Sequence, residues 1–355
     1  MTGRCLGICV IFRPWATSTH SRRTPPSGRF YCLCGRPAGP ILRSWRRPIK
    51  PSRADCATRS RSRFASGAIS GRGICPMTEE KPHAFRAEAM NTVFTVRIRE
   101  CDPQAAERAA GACFRRIEAI EDCLSRYRPG TDVARVNRLA SGESLLVSET
   151  THRCLLLALE AAERTGGLFD PTLGSRTRSE GERGPLCGRL ELLPDRPLVT
   201  CREAGREIDL GGIGKGFALR ECLPLLEDYG VREALLSAGA STHFAVGTSF
   251  WPIHTGIEGR ALVELSAAAW STSGEAVQGV HVVHPDPATP SAGPFKRIGL
   301  RHADPALADA FSTAACLMDE GELQAFVRTL EPGTRVQAWK RGGGPPLELA
   351  PPEGV

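Results

Sequence analysis

The sequence predicts an α+β fold. Helical stretches carrying an apolar stripe are mixed with several short strand-like segments, and no repeat of roughly 20–50 residues points to a solenoid. With 355 residues, 41% of them hydrophobic and 24% charged, the chain has the composition of a soluble globular protein with room for a large core. The alternating, β-branched NTVFTVRI reads as a strand entered at Asn91. Residues 104–127 follow as a helix, with Phe114, Ile117, Ile120, Leu124 and Tyr127 on one stripe and RPGTD as its stop. A second helix starts from a Ser148 N-cap, runs through CLLLALEAAERT and ends at Gly166 and Gly167. Between residues 172 and 206 the Gly-, Pro- and Arg-rich chain reads as a surface loop with a short hairpin, RLELL against PLVTC. A third helix starts in GKGFALRECLPLLEDYG, where Pro224 is expected to kink it or end it early. EALLSAG, ALVELS, GVHVV and RIGLR read as strands, PALADAFSTAACLM and ELQAFVRTL as helices, and RVQAW as the last strand. The Gly- and Pro-rich end, residues 341–355, is expected to fray.

Charge divides the chain. Residues 1–76 hold 14 Arg, Lys50, Asp55 and no Glu, a net +14, so the whole chain's +7 leaves −7 for the remainder. This arm also carries 6 of the 14 Cys and 8 of the 27 Pro and has no helical or strand period, so no packed structure is expected there. It reads as upstream sequence ahead of a start at Met77, as a targeting leader, or as a basic tail for nucleic acid or an anionic membrane. The first reading is preferred, because so many Pro and Cys fit an amphipathic leader poorly, and no nucleic-acid partner is expected. The longest early apolar run, CLGICVIF, falls well short of the roughly 20 residues of a transmembrane helix, and neither Cys9 nor Cys34 follows a lipoprotein-type signal. A cytoplasmic protein is expected. Residues 77–340 are read as one catalytic domain. From Met77 onward the eight cysteines show no C-x-x-C pair and no zinc spacing, and read as reduced thiols.

Three strings carry chemistry. EIDLGGIGKGFAL places Asp209 before a glycine turn and Lys215 at a helix start, where the helix dipole favours anions. It is no phosphate loop of the G-x-x-x-x-G-K-[ST] kind, since Asp209 and Gly216 stand where Gly and Ser or Thr are required. ADPALADAFSTAACLM sets Asp309 and Thr313 four apart on one helix face; the pair suits a hard cation such as Mg²⁺, although for the pair alone an Asp near a helix start with a Thr bonded to its own backbone is the preferred reading. STSGEAVQGVHVVHPDP supplies His281 and His284 beside a strand, where a histidine serves structure or catalysis.

Taken in order with Met90-Asn91-Thr92, Ser125-Arg126-Tyr127, the run Gly167 to Thr172 (GLFDPT) and Thr272-Ser273-Gly274, these strings resemble the FAD:protein FMN transferase family, the ApbE-like proteins. The family's blocks are M-G-T, S-x-Y, G-x-F-D-x-T, D-L-G-x-I-x-K-G, T-S-G, H-[IV]-[IV]-D-P and A-D-A-x-S-T, and they cover the chain from Met90 to about Leu330. The resemblance implies a single α+β domain that uses Mg²⁺ to split FAD and moves FMN to a Ser or Thr hydroxyl of a target protein, releasing AMP. The target is expected to be an electron-transfer subunit. It also implies that Met90, Tyr127, Leu168, Phe169, Asp170, Asp209, Lys215 and Val283 contact FAD. The metal would rest on Asp309, Thr313 and the Gly212 carbonyl, with His281 as the base for the acceptor hydroxyl. Two alternatives share the site: a Mg²⁺-dependent FAD pyrophosphatase with water as acceptor, and a flavin-binding protein without turnover. The chain departs from the pattern at Asn91, at His284, at Gly239-Ala240 where two glycines are usual, and in the Arg- and Glu-rich loop 175–188.

Overall fold

The computed structural model describes residues 81–178, 187–254, 262–274, 282–286, 289 and 293–352. The basic arm lies outside them. In chain order the elements are β1 (His83–Ala89), β2 (Thr92–Arg99), α1 (Pro103–Leu124), α2 (Asp132–Val136), β3 (Ser144–Leu146), α3 (Glu149–Arg164), α4 (Gly174–Arg178), β4 (Arg189–Leu192), β5 (Leu198–Glu203), α5 (Gly214–Asp228), β6 (Glu233–Ala238), β7 (Thr242–Val246), β8 (Trp251–His254), β9 (Leu262–Leu265), β10 (Ala268–Gly274), β11 (Phe295–His302), α6 (Pro305–Ala315), α7 (Glu320–Arg328), β12 (Arg335–Lys340) and β13 (Leu347–Leu349).

Eight strands form one sheet in the order β1-β2-β6-β7-β10-β11-β12-β13, every neighbouring pair antiparallel. Strand alternation divides its residues between two cores. Ala234, Leu236 and Ala238 of β6 face a helical layer, whereas Leu235 joins Trp251, Trp270 and Trp339 on the opposite face, beneath the β8–β9 hairpin. Both faces of β6 are covered, which accounts for its unbroken burial. In the helical layer α5 packs between α1 and α6, and α6 lies across β10 and β11. Buried side chains such as Phe217, Phe311, Ile117 and Ile298 fill this layer, each contributing about 1.5–3 kcal/mol. The fold is α+β, as the mixture of periods predicts.

Several expectations are corrected. Helix α1 stops at Leu124: Ser125 is extended, and its hydroxyl accepts from the N–H groups of Tyr127 (3.3 Å) and Arg128 (3.2 Å), so Tyr127 leaves the apolar stripe and stands 74% exposed. Pro224 does not end α5, which continues to Asp228 with Cys222 and Leu226 buried on either side of the proline; packing against α1 and α6 outweighs the lost hydrogen bond. The loop expected at 172–206 contains α4 as well as the expected hairpin, β4 with β5. Of GVHVV only Val282 and Val283 are described, and they are not strand. The tail expected to fray contains β13, which pairs with β12 through Leu347, Glu348 and Leu349 because the main sheet leaves that edge open. Strands β1, β3, β7, β8 and β10 and helix α2 were not foreseen, being short or weakly apolar.

Candidate functional site

The loops at one end of the main sheet and the start of α5 enclose a cleft of about 980 Å³, at the large end of the roughly 300–1,000 Å³ usual for ligand sites. Met90, Tyr127, Leu168, Phe169, Asp170, Asp209, Lys215 and Val283 all line it, and so do Gly212, Asp309 and Thr313. Eleven of the twelve residues singled out from the sequence are thus brought to one cleft. His281 lies outside the described residues.

At one wall, α5 and α6 meet head to head. Gly216 makes this possible, since a Cβ there would come within 2.0 Å of the Pro305 carbonyl oxygen. The Gly216 N–H, in the first turn of α5, donates to Asp309 Oδ2 at 3.1 Å, and Lys215 Nζ lies 3.6 Å from the same oxygen. The N-cap residue of α5, Ile213, has no side-chain acceptor to offer, so the partial positive charge of that terminus falls on the Asp309 carboxylate. The Thr313 hydroxyl donates to the Asp309 carbonyl at 2.9 Å and lies 3.3 Å from Ser273 Oγ, which leaves it a lone pair for another partner. A Cβ on Gly212 would sit 3.3 Å from Thr313 Oγ1 and 3.1 Å from the Phe169 ring, so this glycine lets the main chain close on Thr313. One carboxylate, one hydroxyl and one turn of backbone carbonyls are the donor chemistry a hard cation takes, with water and substrate phosphate completing its shell. The residues fit such an ion. Among the described residues no group of three or more His, Cys, Asp or Glu gathers as a metal site, so the fit depends on neutral oxygens beside one carboxylate.

At another wall the organising residue is Arg126, which the sequence reading passed over between Ser125 and Tyr127. Its side chain is 5% exposed, and its Nη1 lies 3.1 Å from Asp209 Oδ2 and donates to Gly174 O and Thr177 Oγ1 at 2.8 Å. Nη2 donates to the Tyr127 hydroxyl at 2.9 Å, and the guanidinium lies 4.8 Å from the Tyr127 ring centre. Asp209 also accepts from Thr177 Oγ1 (2.9 Å) and from the Gly211 N–H (2.9 Å). Asp170 differs in kind. Its carboxylate is 4% exposed and accepts from the N–H and hydroxyl of Thr172 and from Arg206 Nη1 at 3.0 Å. Arg206 was also missed; a buried arginine three residues before Asp209 leaves no periodic signal.

The departures have local causes. Met90 and Asn91, at φ 50° and 56°, form the two-residue turn between β1 and β2, a type I′ turn in which Asn is the best substitute for Gly. Gly239, at φ 59°, fills the first place of the expected glycine pair, and Ala240 in the second has no positive φ. His284 Nδ1 accepts from the Asp286 N–H at 3.0 Å, and Arg176 of α4 donates to the carbonyls of His284 (3.3 Å) and Pro285 (2.5 Å), fixing the segment beside Val283. Arg297, in the cleft wall and 7% exposed, is held below the usual arginine pKa range by burial.

Fold and site together define an α+β protein whose cleft gathers oxygen donors and a lysine where two helices meet. The chain belongs to the ApbE family, whose profile matches residues 90–337. It is 26% identical over 211 residues to the FAD:protein FMN transferase of Treponema pallidum, covering 53% of this chain and 58% of that protein. With the FAD:protein FMN transferase of Rhodobacter capsulatus it shares 24% identity over 295 residues, 72% of this chain and 55% of the other. The chain therefore spans a little over half the length of these curated relatives. The crystal structure of the flavinyl transferase ApbE of Pseudomonas stutzeri, in its apo form, has the same fold, with a TM-score of 0.66 at 23% identity over 78% of this chain and 98% of that one. No helix among the described residues is long and apolar enough to cross a membrane.

Proposed function

We propose that this chain is a Mg²⁺-dependent FAD:protein FMN transferase. The observation that carries the reading is the meeting of Asp309, Thr313, the Gly212 turn and Lys215 at one wall of a cleft large enough for a dinucleotide, in a chain of the ApbE family. Asp309, Thr313 and the Gly212 carbonyl would hold the divalent ion. Bound there, it would supply positive charge against the negative charge that builds on the pyrophosphate during displacement. Lys215 neutralises further charge on the departing phosphate. Met90, Tyr127, Leu168, Phe169 and Val283 offer the apolar surface for the ring systems, and Asp209 a fixed acceptor for a ligand N–H or O–H. The carboxylate of Asp170, bonded to Thr172 and Arg206, supports the GLFDPT turn.

In the reaction, the oxygen of an acceptor Ser or Thr forms a bond to the FMN phosphorus as the pyrophosphate P–O bond to AMP breaks. The hydroxyl proton goes to a base, for which His281 is proposed. The acceptor is a separate protein, proposed to be an electron-transfer subunit.

The test is mass spectrometry of FAD incubated with the protein, Mg²⁺ and a Ser- or Thr-bearing acceptor peptide. Peptide gaining FMN with stoichiometric AMP, both stopped by EDTA and slowed in His281→Ala, supports the transferase. FMN and AMP released with no labelled peptide supports the pyrophosphatase instead, and intact FAD rejects both.

A further inference from the structure

We propose that Thr242 and Ser271 are positioning residues for the Asp309 carboxylate, two buried hydroxyls that hold it in the orientation from which it takes a divalent ion. The inference rests on the reading of Asp309 as a metal ligand. Thr242 of β7 and Ser271 of β10 are directly paired across neighbouring strands, and both are 0% exposed. Strand alternation sets Ser271 and Ser273 on the face toward α6, while Trp270 packs on the opposite face.

Ser271 Oγ donates to Asp309 Oδ1 at 3.2 Å and Thr242 Oγ1 to the same oxygen at 3.4 Å. An ionised carboxylate only accepts, so both hydroxyl protons must point at Asp309. Ser312 Oγ shares its proton between Ser271 Oγ at 3.2 Å and the Asp309 carbonyl at 3.0 Å, and it lies 2.8 Å from Ser273 Oγ, which is 3.3 Å from Thr313 Oγ1. This chain of neighbouring hydroxyls thus lies between the two candidate metal ligands, Asp309 and Thr313. Oδ1 is fixed to the sheet by this chain, and Oδ2 is fixed to α5 by the Gly216 N–H. A sheet interior accepts aliphatic side chains without any partner, whereas buried hydroxyls require one. Two of them under a single carboxylate oxygen therefore make a cradle that sets its rotation, as outer-shell groups do for metal ligands.

Mn²⁺ affinity measured by electron paramagnetic resonance, without FAD, tests this on the full chain. Thr242→Val, which keeps the side chain's shape, and Ser271→Ala are each expected to weaken Mn²⁺ binding by about tenfold or more, and Thr242→Ser to restore it. Wild-type affinity in Thr242→Val and Ser271→Ala, with binding abolished in Asp309→Asn, overturns this inference alone. Wild-type protein that binds no Mn²⁺, or Asp309→Asn that binds it normally, overturns the metal reading and this inference with it. Should Ser271→Ala fail to fold, Thr242→Val decides by itself.

Discussion

The main-chain N–H of Gly216 donates to Oδ2 of Asp309 at 3.1 Å, joining the first turn of α5 to α6 across 93 positions of sequence. The contact exists because the two helices approach without a side chain between them. A Cβ at position 216 would lie 2.0 Å from the Pro305 oxygen and 2.6 Å from its carbonyl carbon, and neither backbone atom can swing aside. Gly216→Ala is therefore expected to destabilise the protein by about 1–3 kcal/mol, the usual cost of overpacking, and to weaken divalent-ion binding by separating the helices. Urea unfolding and Mn²⁺ titration of the variant check both effects.

Asp309→Asn preserves size but not charge. Its side chain remains among Thr242, Ser271 and the Gly216 N–H, yet it offers no anion to Lys215 or to a metal. Mg²⁺-dependent AMP release from FAD is expected to fall at least about a hundredfold. FAD binding, proposed to draw on the rest of the cleft, should weaken less. AMP release followed by chromatography and FAD affinity followed by flavin fluorescence separate the two, and equal losses in both would reject the division of roles.

Arg126 ties three segments together through Asp209, Gly174, Thr177 and Tyr127. Lysine carries the charge but lacks the planar fork that reaches these groups at once. Arg126→Lys is expected to raise KM for FAD by roughly tenfold with a smaller change in kcat, because it loosens Asp209 and Tyr127, the residues proposed to contact FAD in the ground state. A fall in kcat at unchanged KM would place Arg126 in the chemical step instead.

The parts of the site written as contiguous strings were legible: the Asp309–Thr313 spacing on α6, the glycine turn before α5, and the GLFDPT turn. Each is local, and helical period or turn chemistry exposes it. The cradle beneath Asp309 was not. Thr242 and Ser271 are ordinary strand residues in sequence, and only the pairing of β7 with β10 sets them side by side. Tyr127 fell at a helical spacing from Leu124 and Ile120, so the periodic reading carried α1 too far; the Ser125 turn, a side-chain-to-backbone effect, ended it. Helix α4 has five residues, too few to show a period. Strand β13 exists because the edge of β12 was open, a property of the assembled sheet alone.

His243 makes the fold sensitive to mild acid. It lies on β7, 7% exposed, with Nδ1 2.8 Å from Ser237 Oγ. Burial first, and the nearby positive charge of Arg97, lower its pKa from 6.5 to about 4, against a smaller opposing effect of a backbone hydrogen bond at Ala240. In the unfolded chain the ring titrates near 6.5, so between 6.5 and about 4 the unfolded state binds the extra proton and stability rises with pH. This contribution is complete above 6.5 and is lost as the pH falls through about 4; integrated over the window it is on the order of 3 kcal/mol. Glu331 acts lower down. Burial pushes its carboxyl up, but hydrogen bonds from Arg164 and His302 outweigh that and hold it at about 2, so its contribution is present above the ordinary 4.5 and is lost toward 2. The difference between wild type and a His243 variant in urea unfolding between about pH 7.5 and pH 4.5 therefore reports on this histidine. His243→Gln, which keeps a polar group toward Ser237 but cannot take a proton, should lose less stability than the wild type across that range. Parallel curves for the two proteins would show that the buried ring does not titrate with unfolding.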